Sequence, residues 1–199
     1  MKNLKNLLVL VSIMFMINTH SQEISFDRIE KGGIRHIGTE SLEMDIDNAT
    51  YNFSLTVFSG ESSKDYCLLI SSFSKIEENC IVMLKLSNDE IVKLTANNLN
   101  VGQVDYPKYS PIIGGTTASG ILSTQKVDYY VSIFSLNDDL LNRIEEYGII
   151  KIRVAYFGTY NERSWRKDRL GKYIKRCHLK LEEKLQKYHA TIKSIESGF

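Results

Sequence analysis

The chain has 199 residues, 43% of them apolar and 25% charged, with a formal net charge of +1. That length and balance suit a globular protein with one core, and leave no room for a second. Three cysteines do not make a disulfide framework, and past the first residues no apolar run is long enough to span a bilayer.

The charge is unevenly placed. Residues 22–162 hold 12 basic and 20 acidic residues, whereas residues 163–199 hold 11 basic and 4 acidic. An acidic body carrying a basic tail calls for a partner, within the chain or outside it.

The first residues read as an export signal. Lys2 and Lys5 form a basic start, residues 7–17 an apolar segment, and Thr19-His20-Ser21 a small-x-small cleavage pattern. Residues 1–21 are therefore expected to be a signal peptide cleaved near Ser21. With no cysteine at the cleavage point, a lipid anchor is not expected. The mature chain would be periplasmic or secreted, where nucleic acid is not a partner. In an oxidising compartment Cys67 and Cys80 could be bridged. A hairpin turn near Ile76 and Glu77 sets them out of register, which favours isolated buried thiols.

In the mature chain Ile24, Phe26 and Ile29 suggest a first strand, broken at Gly32-Gly33. Leu42, Met44 and Ile46 alternate with Glu43, Asp45 and Asp47, a strand with one acidic face. Alternating carboxylates are compatible with calcium, but the glycine and distal glutamate of an EF-hand loop are missing. Tyr51, Phe53, Leu55 and Val57 alternate with polar residues in a second clear strand. The unbroken apolar run Tyr66–Phe73 predicts a strand covered on both faces. Cys80–Leu86 and Ile91–Leu94 predict a hairpin. Keeping apolar residues on one face requires a bulge or a three-residue turn at Asn88–Glu90, the latter with Leu86 opposite Val92 and Leu84 opposite Leu94.

Residues 95–124 are the least regular, with one short strand at Val101–Tyr106. The run Gly114–Gly120 lacks the lysine of a phosphate-binding loop and reads instead as a ligand lid. From Lys126 the chain is strongly patterned. Val127, Tyr129, Val131 and Ile133 alternate with Lys126, Asp128 and Ser132, predicting a strand with the first set buried. Leu136, Leu140, Leu141, Ile144 and Tyr147 then fall on one stripe of a helix over 136–147, capped by Ser135 and stopped by Gly148. Ile150, Ile152, Val154 and Tyr156 form another strand. A loop at 158–164 leads into a long helix. Its stripe is Leu170, Ile174, Cys177, Leu181, Leu185, Tyr188, Ile192 and Ile195, and its opposite side is basic. That basic side is expected first to dock on the acidic sheet of its own chain. The other readings are an anionic surface and a second copy of the chain.

No catalytic residue, metal ligand or cofactor is assigned. His178 adjoins Cys177, but neighbours on a helix point about 100° apart, so they do not form a dyad. Tyr156, Tyr160 and Trp165 cluster in sequence around one loop, followed by Arg166 and Lys167. Aromatic groups beside cations are suited to stack on sugars or anchor a protein, and these five are the candidate ligand-binding residues.

Two segments carry a resemblance. Tyr66–Leu94, and Tyr147–Arg153 followed by Lys167–Lys172, resemble small exported proteins of unknown function from gut Bacteroidetes. The resemblance implies a bacterial periplasmic or secreted setting and brings no site residues with it.

The resulting expectation is an α+β, mainly β fold: an antiparallel β-sandwich-like sheet with a short inserted helix and a long C-terminal amphipathic helix. The β-rich part covers residues 22–161 and the basic helix 162–199. The expected function is that of an exported, non-enzymatic binding or interaction protein of the cell envelope with a protein or glycan partner. A hydrolase acting on an envelope polymer and a periplasmic inhibitor or immunity-type protein are the alternatives.

Overall fold

The computed structural model describes residues 23–30, 33–60, 63–111, 120–156 and 158–196. Residues 1–22, which hold the expected leader and cleavage site, and residues 114–119 of the glycine-rich stretch lie outside the described residues. In chain order the elements are β1 (Ile24–Ile29), β2 (Arg35–Thr39), β3 (Leu42–Ile46), β4 (Ala49–Ser59), β5 (Lys64–Ser72), β6 (Ile81–Leu86), β7 (Ile91–Thr95), β8 (Asn98–Pro111), β9 (Gly120–Leu136), α1 (Asp138–Tyr147), β10 (Ile149–Tyr156), β11 (Thr159–Ser164) and α2 (Leu170–Glu196).

The fold is mainly β, as the alternating pattern predicts, and every strand pair is antiparallel. The larger sheet runs β1-β2-β4-β5-β9-β8, with β3 also paired to β4, and curls into a half-barrel. The smaller sheet runs β11-β10-β6-β7. The core lies between them. Phe53, Leu55, Leu68 and Phe134 from the larger sheet meet Val82, Leu84, Ile152 and Val154 from the smaller, together with Leu141 and Ile144 of α1 and Leu170, Ile174 and Leu181 of α2. The apolar run of β5 sits between β4 and β9, covered as expected.

The strands flanking α1 belong to different sheets, so this helix carries the chain from one layer to the other. Its cap is Asn137, whose Oδ1 accepts from the Leu140 N–H at 2.8 Å, rather than Ser135. Leu136 stays in the strand and is buried. Gly148 ends the helix as predicted, at φ 69 and ψ 173, with its N–H donating to Ile144 O at 2.8 Å.

Two expectations about faces are corrected. On β9 the buried face is Ser132, Phe134 and Leu136, while Val127, Tyr129, Val131 and Ile133 are half-exposed on the other. Both faces of that strand carry apolar groups, so alternation alone picked the wrong one. In the β6–β7 hairpin Leu84 does pair with an apolar residue, but with Val92, and Val82 pairs with Leu94. The turn has three residues, Ser87–Asp89, one position earlier than predicted. Asp89 takes φ 69, and the Leu86 N–H donates to Glu90 O, which is a type I turn closed by a left-handed residue. The slip of two positions preserves which side chains face inward.

β2 and β3 share one edge of β4, and the ladder breaks between them at Leu55. The Thr39 hydroxyl fills the break, donating to Leu55 O at 3.1 Å and accepting from Leu55 N at 3.2 Å. Above it lies the buried Tyr173 of α2, whose hydroxyl is 2.5 Å from Glu40 O and 2.8 Å from Phe53 O. Burial pushes the Tyr173 phenol far above its ordinary range, so it keeps the proton it donates.

At the start of α2, Asp168 Oδ1 accepts from the Gly171 N–H at 2.7 Å and caps the helix. Its carboxylate is wedged between two glycines. A Cβ on Gly148 would lie 2.7 Å from Asp168 Oδ2, and one on Gly171 would lie 2.6 Å from it. On the opposite face of the larger sheet, His36 stacks on Phe58 at 3.9 Å and meets the Phe26 ring edge at 4.7 Å. His36 Nδ1 faces Glu30 Oε1 at 3.0 Å and Arg28 Nη2 at 3.3 Å, and its Nε2 is buried without a partner among the described residues.

Two outcomes follow from these contacts. Gly148 occupies a backbone region that is essentially glycine-only, so Gly148→Ala should lower stability by about 2 kcal/mol in urea titration. Gly102→Ala, where an added Cβ meets nothing within 4 Å, should change it by less than about 0.5 kcal/mol. Burial, opposed by the bond to Glu30, depresses the His36 pKa below 6.5. The unfolded chain therefore takes up this proton first. The histidine's contribution is complete above pH 6.5 and is lost as pH falls through the folded value. Thermal melts should show this loss in the wild type, and His36→Phe, which keeps the ring stack, should flatten it.

Candidate functional site

The predicted loop of aromatics is a β-hairpin. Tyr156 pairs with Thr159 and Ala155 with Tyr160 across a turn at Gly158, which has φ 78. The side chain of Tyr156 lies outside the described part of the structure. Alternation along β11 and its continuation sends Tyr160 and Trp165 to opposite sides. Tyr160 is 53% exposed, with the Arg153 guanidinium over its ring at 4.4 Å. Trp165 packs half-buried against the core, and its backbone N–H donates to Ile150 O at 2.8 Å. Arg166 and Lys167 are exposed in the bend before α2. Tyr160 and Trp165 therefore do not share one platform. Tyr160, through Arg153, marks the rim of a site that the sequence did not reveal.

That site is the outer face of the smaller sheet. Met83, Lys85, Ile91, Lys151, Arg153 and Glu162 line a shallow depression of about 280 Å³. They come from four strands, and register puts them together. Lys151 lies directly opposite Lys85, which is opposite Ile91, and Arg153 sits between Met83 and Glu162. Glu162 is gripped by its neighbours: Lys151 Nζ donates to Oε1 at 2.6 Å, and Arg153 Nε and Nη2 donate to Oε2 at 2.7 and 2.5 Å. Hydrogen bonds from Lys151 and Arg153 hold this carboxyl below the usual range, so it is ionised near neutral pH. Lys85 reaches Asp89 at 2.7 Å, a carboxylate that is 82% exposed and therefore well screened.

The pair Lys85–Lys151 breaks a rule of sheet construction. Like charges directly opposite one another weaken a sheet, and such violations concentrate at functional sites. One carboxylate among three cations leaves the depression positively charged. Above an apolar floor of Met83 and Ile91, it suits a small ligand, or one projecting group of a larger partner, that carries negative charge.

A second cationic surface covers α2 and the bend before it, and here an expectation is corrected. The helix docks through its apolar stripe, and its basic side faces outward. Arg166, Lys167, Arg169, Lys172, Lys175 and Arg176 are all exposed and form no ion pair among the described residues. Contact with the acidic body is confined to the flanks. Lys184 meets Asp27 at 3.4 Å, while Lys180 and Lys187 pair with Glu183 on the helix itself.

His178 is no partner for Cys177, and the structure pairs it with Glu145. Its Nδ1 lies 2.5 Å from Glu145 Oε1 on α1, and its Nε2 is 4.0 Å from Glu182 Oε1. Glu182 also takes Lys64 Nζ at 2.9 Å and the Tyr66 hydroxyl. Both ring nitrogens thus face carboxylates of the chain itself, which makes the imidazole a bracket between α1 and α2. No sequence spacing signals the pairing, since the partners are 33 positions apart. Glu43, Asp45 and Asp47 are not assembled into a cation site. Asp45 accepts from the Thr50 hydroxyl at 2.8 Å and Asp47 from the Glu162 N–H at 2.6 Å. Among the described residues no cluster of three His, Cys, Asp or Glu side chains is placed to hold a metal ion.

No family model, curated protein or solved structure matches the chain. Among the described residues no helix is long and apolar enough to cross a membrane.

If the Lys85–Lys151 juxtaposition serves a ligand rather than the fold, relieving it should strengthen the protein. Lys85→Thr is expected to raise stability by about 0.5 kcal/mol at low salt, read from the urea midpoint, with the gain shrinking as salt is added.

Proposed function

We propose that this chain is an exported, non-enzymatic binding protein of the bacterial cell envelope, and that its partner presents an anionic group to the depression on the smaller sheet. The observation that carries the reading is the direct opposition of Lys85 and Lys151 beside Arg153, over Met83 and Ile91. Glu162 and the exposed Asp89 offset these three cations only in part, and a further negative charge would relieve the remaining repulsion. The unpaired cations of α2 support the same sign of partner, since they extend the positive surface without being needed for docking the helix. The leader supports export, and the resemblance noted for Tyr66–Leu94 supports the envelope setting.

Glu162 gives the reading a direction. Its carboxylate holds Lys151 and Arg153 in place and also competes with any incoming anion. Binding of sulfated and phosphorylated saccharides and of acidic peptides should be followed by fluorescence polarisation at low salt. Lys151→Ala is expected to weaken the best probe by about tenfold, and Glu162→Gln to tighten it severalfold. Affinity unchanged in both variants would reject the depression as the site. Turnover of a glycan, peptide or ester substrate by the purified chain would replace the binding reading with the hydrolase.

A further inference from the structure

The larger sheet loses most of its width at one point. β5 meets β9 only from Tyr66 opposite Leu136 to Ser72 opposite Tyr130. The chain then leaves the sheet at Phe73, while β8 and β9 run on together as far as Pro111 opposite Gly120. From Tyr129 back to Gly120, β9 therefore has a strand on one edge only among the described residues. Two strands alone are marginal in water, and a third or a packed cover is ordinarily needed. This ribbon also carries apolar surface, with Val101 57%, Val104 38% and Tyr106 49% exposed.

The backbone on the open edge has no strand partner among the described residues. Ile133 O accepts from Asn97 N on the β8 side, so odd-numbered residues of β9 turn their N–H and C=O groups towards β8. Lys126 and Asp128 turn theirs to the open edge. Beside that edge is a notch of about 420 Å³, with Phe73 and Lys75 on one wall and the consecutive residues Gln125–Asp128 on the other. Phe73 packs against Tyr129 at 5.2 Å and Tyr106 at 5.9 Å, giving one side of the notch an aromatic wall. Val127 lies on that side, and Lys126 and Asp128 lie on the other.

We propose that the open edge of β9 accepts an extended segment of a partner protein as an added strand, in line with β5 and taking up its pairing where β5 stops. The main-chain groups of Lys126 and Asp128 supply the ladder. Side chains of the incoming segment that share the face of Phe73 and Val127 are apolar. The alternate ones are polar and meet Lys126 and Asp128. This surface is separate from the depression on the smaller sheet, and it stands whether or not that depression binds an anion.

The test is to pan a library of random octapeptides on the whole folded chain and measure the selected peptides by fluorescence polarisation. Selected sequences should alternate apolar and polar residues. Asp128→Pro removes an N–H from the open edge without touching the β8 ladder, and should weaken binding by about tenfold while Asp128→Ala does not. Peptides N-methylated at alternate positions should separate into binders and non-binders according to which set faces β9. This arm needs no variant and decides the matter if Asp128→Pro fails to fold. Equal binding by both N-methylated sets would overturn strand addition, as would selected peptides without alternation. A dimer of the wild-type chain that Asp128→Pro dissociates would assign the edge to a second copy and overturn the proposed partner.

Discussion

Two buried hydroxyls at the break in the β4 ladder set much of this structure. Where β2 hands over to β3, the Leu55 backbone would be left unpaired in the interior, and the Thr39 hydroxyl satisfies both of its groups. Buried main-chain groups without partners are costly, so the break is tolerable only with that side chain in place. Tyr173 then bonds to carbonyl groups on either side, which fixes the long helix over the seam. One strand edge thus holds two partners in turn, and the helix fastened over their junction closes the core.

Docking the helix this way decides where the charge goes. With its apolar stripe in the core, the first three turns of α2 turn their cations outward, and the wedge of Asp168 between Gly148 and Gly171 holds that end against the end of α1. Several acidic residues are meanwhile engaged in pairs within the chain. Asp27 is bonded to Arg35 and held below the usual carboxylate range chiefly by that bond, and Glu145 and Glu182 flank His178. A chain whose formal charges nearly cancel therefore presents concentrated positive surface at two places.

Much of the scaffold was legible because alternation survives wherever one face is buried. β3, β4, β5 and the β6–β7 hairpin follow their residues directly, and α1 and α2 follow their stripes. Legibility failed where the physical signal was weak or doubled. β11, with the residues Thr-Tyr-Asn-Glu-Arg-Ser, has no buried face of its own and reads as a loop, although β10 pairs with it throughout. β9 carries apolar groups on both faces, so the choice between them depended on β5 and β4, which only the fold supplies. The depression on the smaller sheet is assembled from four strands, and a like-charge pair between residues 85 and 151 leaves no trace in either segment alone. Tyr160 and Trp165 part for the simplest reason: in an extended chain, residues an odd number of positions apart point to opposite sides.

The three cysteines have a consequence of their own. All are free and buried, with the thiol pKa values raised chiefly by desolvation, in Cys80 to about 11. A thiolate is the reactive form, so these sulfurs are chemically silent while the protein is closed. Cys67 lies within the larger sheet, Cys80 at the entry to the smaller one, and Cys177 under the long helix. Each layer thus contains its own built-in clock, because an alkylating reagent reacts only when that layer breathes. Three labelling rates, read from the natural chain, would rank the layers by how often they part.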